Sequence, residues 1–133
     1  MRVNVKDTTR ELSKKDRLVL DNSNFIKVSE VIKAHGTCTI ENPDIAVHAA
    51  FPKKEGGSFD LYVMHGVCIE LSAELGTGER YEGWFQIGAE TAGEQIMTLV
   101  REMTGEKDPY MLRIDLRRSK QDPSRSFYNV DII

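Results

Sequence analysis

The chain has little of what usually declares a function. Of its 133 residues only two are cysteine, Cys38 and Cys68, and only one is tryptophan, Trp84. Two cysteines do not make a disulfide framework, so nothing argues for secretion. No apolar run is long enough to span a bilayer, and the N-terminus lacks a signal-peptide apolar core. A cytoplasmic protein with no membrane partner is therefore expected. Phosphate-binding loops, dinucleotide fingerprints and H-E-x-x-H are all absent. No serine or cysteine sits in a recognisable nucleophile motif. The carboxylates are many but scattered over polar stretches. The expectation is a protein that is not an enzyme and carries no cofactor.

Excess charge is also missing: the formal net charge is −3. That balance alone argues against a simple nucleic-acid binder, but the distribution matters more. Between Asp60 and Asp108 the only bases are Arg80, Arg101 and Lys107. Most of the others gather in Met1 to Arg17, at Lys53-Lys54, and from Arg113 to Arg125. Such segregation permits a basic face on an acidic protein, although any one cluster is as readily an ordinary solvated surface.

What the chain does have is a well-patterned end. Tyr110, Leu112, Ile114 and Leu116 alternate with Met111, Arg113, Asp115 and Arg117. After the polar break Lys120-Gln121-Asp122-Pro123-Ser124 the alternation resumes, Tyr128, Val130 and Ile132 against Phe127, Asn129 and Asp131. Period-two spacing around a proline-containing break predicts a β-hairpin. Keeping both apolar sets on one face allows only in-phase registers. One of them pairs Leu116 with Tyr128, Ile114 with Val130 and Leu112 with Ile132. It also sets Arg117 opposite Phe127 and Arg113 opposite Asp131.

Upstream, residues 1–24 read as a partly ordered N-terminal arm. Phe25 to Ala34 alternates weakly as a strand, and Cys38 to Ile40 extends the pattern to a turn at Asn42-Pro43-Asp44. Further strands are expected at Ile45–Phe51, Phe59–Leu71 and Arg80–Gly88, with a bend or bulge at Gly66. One helix is expected, with Thr91 and Glu94 as a capping box, an apolar stripe of Ile96, Leu99, Val100 and Met103, and a stop at Gly105.

These elements predict a mostly β fold with one helix. Residues 25–133 would form a five-stranded antiparallel OB-fold-like barrel with an N-terminal extension. In that fold the loops Pro52–Ser58 and Ser119–Arg125 flank the ligand face, and both are basic. The glycine turn Gly76-Thr77-Gly78, the aromatic strand Tyr81-Glu82-Gly83-Trp84-Phe85, the helix and the closing Ser126-Phe127-Tyr128-Asn129-Val130 complete the pattern. On these features the carboxyl-terminal two-thirds resembles the small OB-fold single-stranded-DNA-binding proteins of phages and mobile elements. Many of those end in a flexible acidic tail, which this sequence lacks.

The resemblance implies non-specific single-strand binding, to DNA or RNA, in replication or recombination, by a homo-oligomer. The residues suit it. Trp84 and Phe127 fall opposite their strands' core residues and could stack on bases. Arg117 and Arg118, with Lys53, Lys54, Lys120 and Arg125, would meet phosphates. Arg113 belongs to the same set, although Asp131 opposes it across the hairpin. Against the stacking role, Trp84 could equally be covered by the N-terminal segment. The rival function is a structural β-barrel subunit of a phage particle or other assembly, with no nucleic-acid role.

One repeat remains. His35-Gly36-Thr37-Cys38 and His65-Gly66-Val67-Cys68 share H-G-x-C, and two such pairs could supply four zinc ligands. On an extended strand, however, residues three apart point to opposite faces. Buried free cysteines are the simpler expectation, and no metal site is assigned.

Overall fold

A computed structural model describes residues 2–133. The described residues form one mixed seven-stranded sheet, curled into an open half-barrel, and four helices. The elements in order are β1 (Asn4–Thr8), α1 (Lys14–Asn22), β2 (Ile26–Lys27), α2 (Val28–His35), β3 (Thr37–Pro52), β4 (Ser58–Cys68), α3 (Ile69–Leu75), β5 (Tyr81–Ile87), α4 (Glu90–Met103), β6 (Met111–Arg118) and β7 (Ser126–Ile132). Across the sheet the order is β2-β5-β4-β3-β6-β7, with β1 alongside β3. Among the described residues only the β2–β5 pairing is parallel. Among the described residues no helix is long and apolar enough to cross a membrane.

The expected closed five-stranded barrel with one helix is therefore wrong, and the reason is at the sheet's edges. All five expected strands form, although Phe59–Leu71 ends at Cys68 and its last three residues open α3. Closure would require the outermost two, β5 and β7, to meet. Instead β2 takes the outer edge of β5, Ile26 beside Phe85, and β7 is left at the other end. The gap is roofed by α2 and α4, whose apolar sides complete the larger core.

That core contains Val28 and Val31 of α2, Ala92, Ile96, Met97 and Val100 of α4, and Cys38, Ile40, Met64, Phe85, Leu112 and Ile114 of the sheet, all buried. The opposite face of the sheet has its own smaller core: Val3, Leu20 of α1, Ile45, Val47, Ala49, Phe51 and Val63. A strand buried on both sides loses its alternation, and the middle of β3 (Ile45, Ala46, Val47) is buried throughout. The turn expected at Asn42-Pro43-Asp44 is a bulge within this one strand. Register with β4 shifts between Glu41 and Ile45, and Asn42 takes a left-handed φ of 46°.

Three helices replace expected strand or arm. Over residues 1–24, read as an arm, β1 pairs with β3 and α1 lays Leu20 into the second core. The Ser13 hydroxyl accepts from Asp16 N–H, and the Asp16 carboxylate accepts from Ser13 N–H, a complete capping box. α2 ends at Gly36 and α3 at Gly76, both left-handed (φ 86° and 68°). Conversely, the capping box expected at Thr91 is absent. α4 starts two residues earlier, its N-cap Ala89 makes no side-chain cap, and Glu94 accepts from the Tyr62 hydroxyl at 2.6 Å.

Candidate functional site

The β6–β7 hairpin adopts the in-phase register, with Leu112 beside Ile132, Ile114 beside Val130 and Leu116 beside Tyr128. Its even-numbered apolar residues face α4. The odd-numbered residues, Arg113, Asp115, Arg117, Phe127, Asn129 and Asp131, face the other way, on the part of the sheet that α1 does not cover. Over residues 115–127 four cations (Arg117, Arg118, Lys120, Arg125) meet two carboxylates (Asp115, Asp122). Arg117 is shared between Asp115 (3.3 Å) and Asp131 (3.6 Å), and Arg125 reaches Asp122 at 3.4 Å. Arg118 and Lys120 have no acidic partner among the described residues. Phe127, directly across from Arg117, is 48% exposed. The hairpin tip is thus a net cationic projection with an open aromatic ring.

The other residues expected to bind lie elsewhere. Lys53 and Lys54 are exposed in the β3–β4 turn, beyond the Pro52 end of β3. The hairpin tip lies beyond the Thr37 end of the same strand. Sixteen residues of strand separate those ends, roughly 50 Å if straight. The two basic loops do not flank one face. Trp84 is half-buried, against Phe25 (ring centroids 6.4 Å) and His65 (5.3 Å). It shares a face with Phe127 but sits four strands away, roughly 19 Å across the sheet before any offset along it. The N-terminal segment that carries Phe25 covers it, so Trp84 and Phe127 do not form one stacking platform.

Beside the hairpin lies an open groove of about 670 Å³ that sequence reasoning missed. Thr37, Thr39, Glu41 and Arg113 floor it, and Ile69, Tyr110 and Ile133 are among its apolar walls. The volume is that of a small-ligand cleft. Glu41 pairs with Arg80, whereas Arg113 has no acidic partner among the described residues, Asp131 having turned to Arg117.

Glu70, on the first turn of α3, ties that helix to β3. Its carboxylate accepts from the Thr37 hydroxyl (2.6 Å), the Thr39 N–H (2.6 Å) and the Thr39 hydroxyl (2.8 Å). Burial alone would raise its pKa, but these donors outweigh burial and hold it below the ordinary 4.5. A folded pKa below the unfolded one adds stability above the unfolded value, lost as pH falls through the folded one. Glu70→Gln is expected to cost about 1.5–3 kcal/mol at pH 7, the usual worth of hydrogen bonds to a charged group. The gap from the parent protein should close on acidification below pH 4.5. Paired thermal melts from pH 7 to pH 2 check this, and a gap independent of pH would refute it. The signal for Glu70 was available in sequence: Gly76 stops a helix, and the helix it stops begins at Ile69.

The two H-G-x-C segments do not converge into a metal site. Cys38 and Cys68 are both buried in the core, where the hydrogen bond to Cys68, and burial, push the Cys38 thiol up. The imidazoles go elsewhere, His35 Nε2 to Glu74 (3.0 Å) and His65 Nδ1 to Asp44 (2.7 Å). The Asp44 hydrogen bond raises the His65 pKa against the effect of burial. No cluster of three or more His, Cys, Asp or Glu able to hold a metal occurs among the described residues. No protein-family model, curated protein or solved structure matches this chain.

Proposed function

We propose that the chain binds single-stranded nucleic acid without sequence preference through the tip of the β6–β7 hairpin. One observation carries the reading: the tip bears Arg118 and Lys120, without acidic partners among the described residues, and on the same hairpin Arg117 stands directly across from a Phe127 ring that is 48% exposed. Flexible phosphates meet the cations, and an unstacked base lies on the ring. Single-stranded DNA is the expected ligand, with RNA the alternative, and such an activity suits strand handling in replication or recombination. The stacking role expected of Trp84 passes to Phe127, because Trp84 is half-buried under the N-terminal segment.

The test is a titration of end-labelled single-stranded oligonucleotide, followed by anisotropy at two salt concentrations. Phe127→Ala should remove about 1–3 kcal/mol of binding, the worth of one base–aromatic stack. Arg118→Ala with Lys120→Ala should weaken binding to every sequence alike. It should also reduce the salt slope by about 0.7 for each phosphate that is no longer neutralised. Double-stranded DNA should bind less well, its bases being already stacked. Trp84 emission should change little. Binding that ignores the Phe127 change and vanishes at moderate salt would leave only generic charge attraction and sink the proposal. Indifference to oligonucleotide altogether is what the structural-subunit alternative expects.

A further inference from the structure

We infer that two copies of this chain join edge to edge through β7, antiparallel, about a two-fold axis at Asn129. The hydrogen-bond phase of the hairpin leads there. Met111 and Ile133 exchange both of their backbone bonds, and Ser119 N–H donates to the Arg125 carbonyl. In an antiparallel ladder this phase repeats every second residue. It turns the N–H and C=O of Arg125, Phe127, Asn129, Asp131 and Ile133 toward β6. The same groups of Ser126, Tyr128, Val130 and Ile132 point outward, and no strand of the sheet lies beyond them.

Such an edge is a template for another strand, and proteins that stay monomeric usually blunt it with lysine, proline or a bulge. From Ser126 to Ile132 there is no lysine or proline, and the β6–β7 ladder runs without a register shift. The only charge is Asp131, which already leans to Arg117.

A second copy fits because the edge is self-complementary. An antiparallel register centred on Asn129 uses all four outward residues of each strand. Tyr128 then pairs with Val130 of the partner, and Ser126 with Ile132. On the α4 face the row Ile114–Val130 continues into the partner's Tyr128 and Leu116. On the other face Phe127 meets the partner's Asp131, with Arg117 and the partner's Arg113 flanking them. No like charges stand opposite one another, and the two Asn129 amides meet on the axis. The partner's Arg125 falls beside Ile133, at the end of the groove that holds Glu41 and Glu70. A cleft between α4 and β7, lined by Leu99 and Val130, leaves room for the incoming Tyr128.

The experiment uses the full chain without oligonucleotide, so it is independent of the nucleic-acid reading. Light scattering after size exclusion should give twice the monomer mass. Asn129→Cys sets two thiols at a non-hydrogen-bonded antiparallel pair, about 4.5 Å between Cα atoms, within disulfide reach. It should form a covalent dimer under mild oxidation, while Phe127→Cys, facing Asp131 of the partner, should not. The native Cys38 and Cys68 are buried and stay out of this chemistry. Val130→Pro removes an outward N–H without touching the β6 ladder and should give monomer. A monomeric parent at hundreds of micromolar, or cross-linking at Phe127→Cys equal to that at Asn129→Cys, would overturn the inference.

Discussion

Ile96→Asp is expected to abolish the folded state, whereas Leu99→Asp leaves it folded. Both residues belong to the apolar stripe that the sequence predicts for α4. Only Ile96 is inside, at 2% exposure, with Met97 and Val100 at 1%. The buried side of the helix is Ala92, Gly93, Ile96, Met97 and Val100, turned from the expected stripe toward the N-terminal end. A carboxylate at Ile96 has no partner in that core, and burying it costs several kcal/mol. Against a typical total of roughly 5–15 kcal/mol, that is enough to unfold the domain. Leu99 lines the cleft beside Val130, with Thr98, Gln95 and Glu94 around it. An aspartate there stays hydrated, and the expected loss is about 1–2 kcal/mol of apolar burial. Circular dichroism and thermal melts of the two variants separate them. Equal damage from both would mean that α4 is rotated from the orientation described.

Gly93→Ala should destabilise the protein, although alanine is the better helix former by about 1 kcal/mol. A Cβ on Gly93 would lie 2.2 Å from the Tyr62 ring. Tyr62 cannot step aside. Its ring stacks on His48, centroids 4.2 Å apart and planes 13° from parallel, and its hydroxyl is held by Glu94. Overpacking of this kind typically costs about 1–3 kcal/mol. The decisive measurement is the double variant. In a Tyr62→Leu background the obstruction is gone, and Gly93→Ala should become neutral or stabilising. Additive effects would show that the two residues are not in contact.

Gly93 also shows why parts of this fold could not be read from sequence. A glycine inside a helical pattern weakens that pattern unless a ring packed on it is known, and that ring is 31 residues away in β4. The β6–β7 register was legible because a half-buried hairpin allows only in-phase pairings. α2 was not, because Val28, Val31 and Ile32 satisfy helical spacing while Ile26, Val28 and Ile32 satisfy alternation. Gly36 was the discriminating residue. β3 was read as two pieces, Cys38–Ile40 and Ile45–Phe51, because the bulge at Asn42-Pro43-Asp44 has the composition of a turn. The site followed the same division. The hairpin tip could be located, since it depends on local pairing. The separation of Lys53 and Lys54 from it, and the cover over Trp84, depend on which strand lies next to which, which local pattern does not encode.

β3 also sets the order in which the chain acquires structure. β4 and β5 follow it in a simple meander that needs only near neighbours, and its C-terminal half also pairs with β1, roughly forty residues upstream. Its N-terminal half waits for β6: Thr37 and Asp115 are roughly eighty residues apart, a closure whose entropy must be met before its pairing repays it. During synthesis the side of the meander that carries α1 can therefore mature first. The side that carries Cys38 and Ile40 stays open until α4 and β6 arrive. The last-arriving hairpin, which also carries the cationic tip and the open edge, converts a half-covered sheet into a finished one. Mutations in it should therefore act first on folding yield and only then on stability.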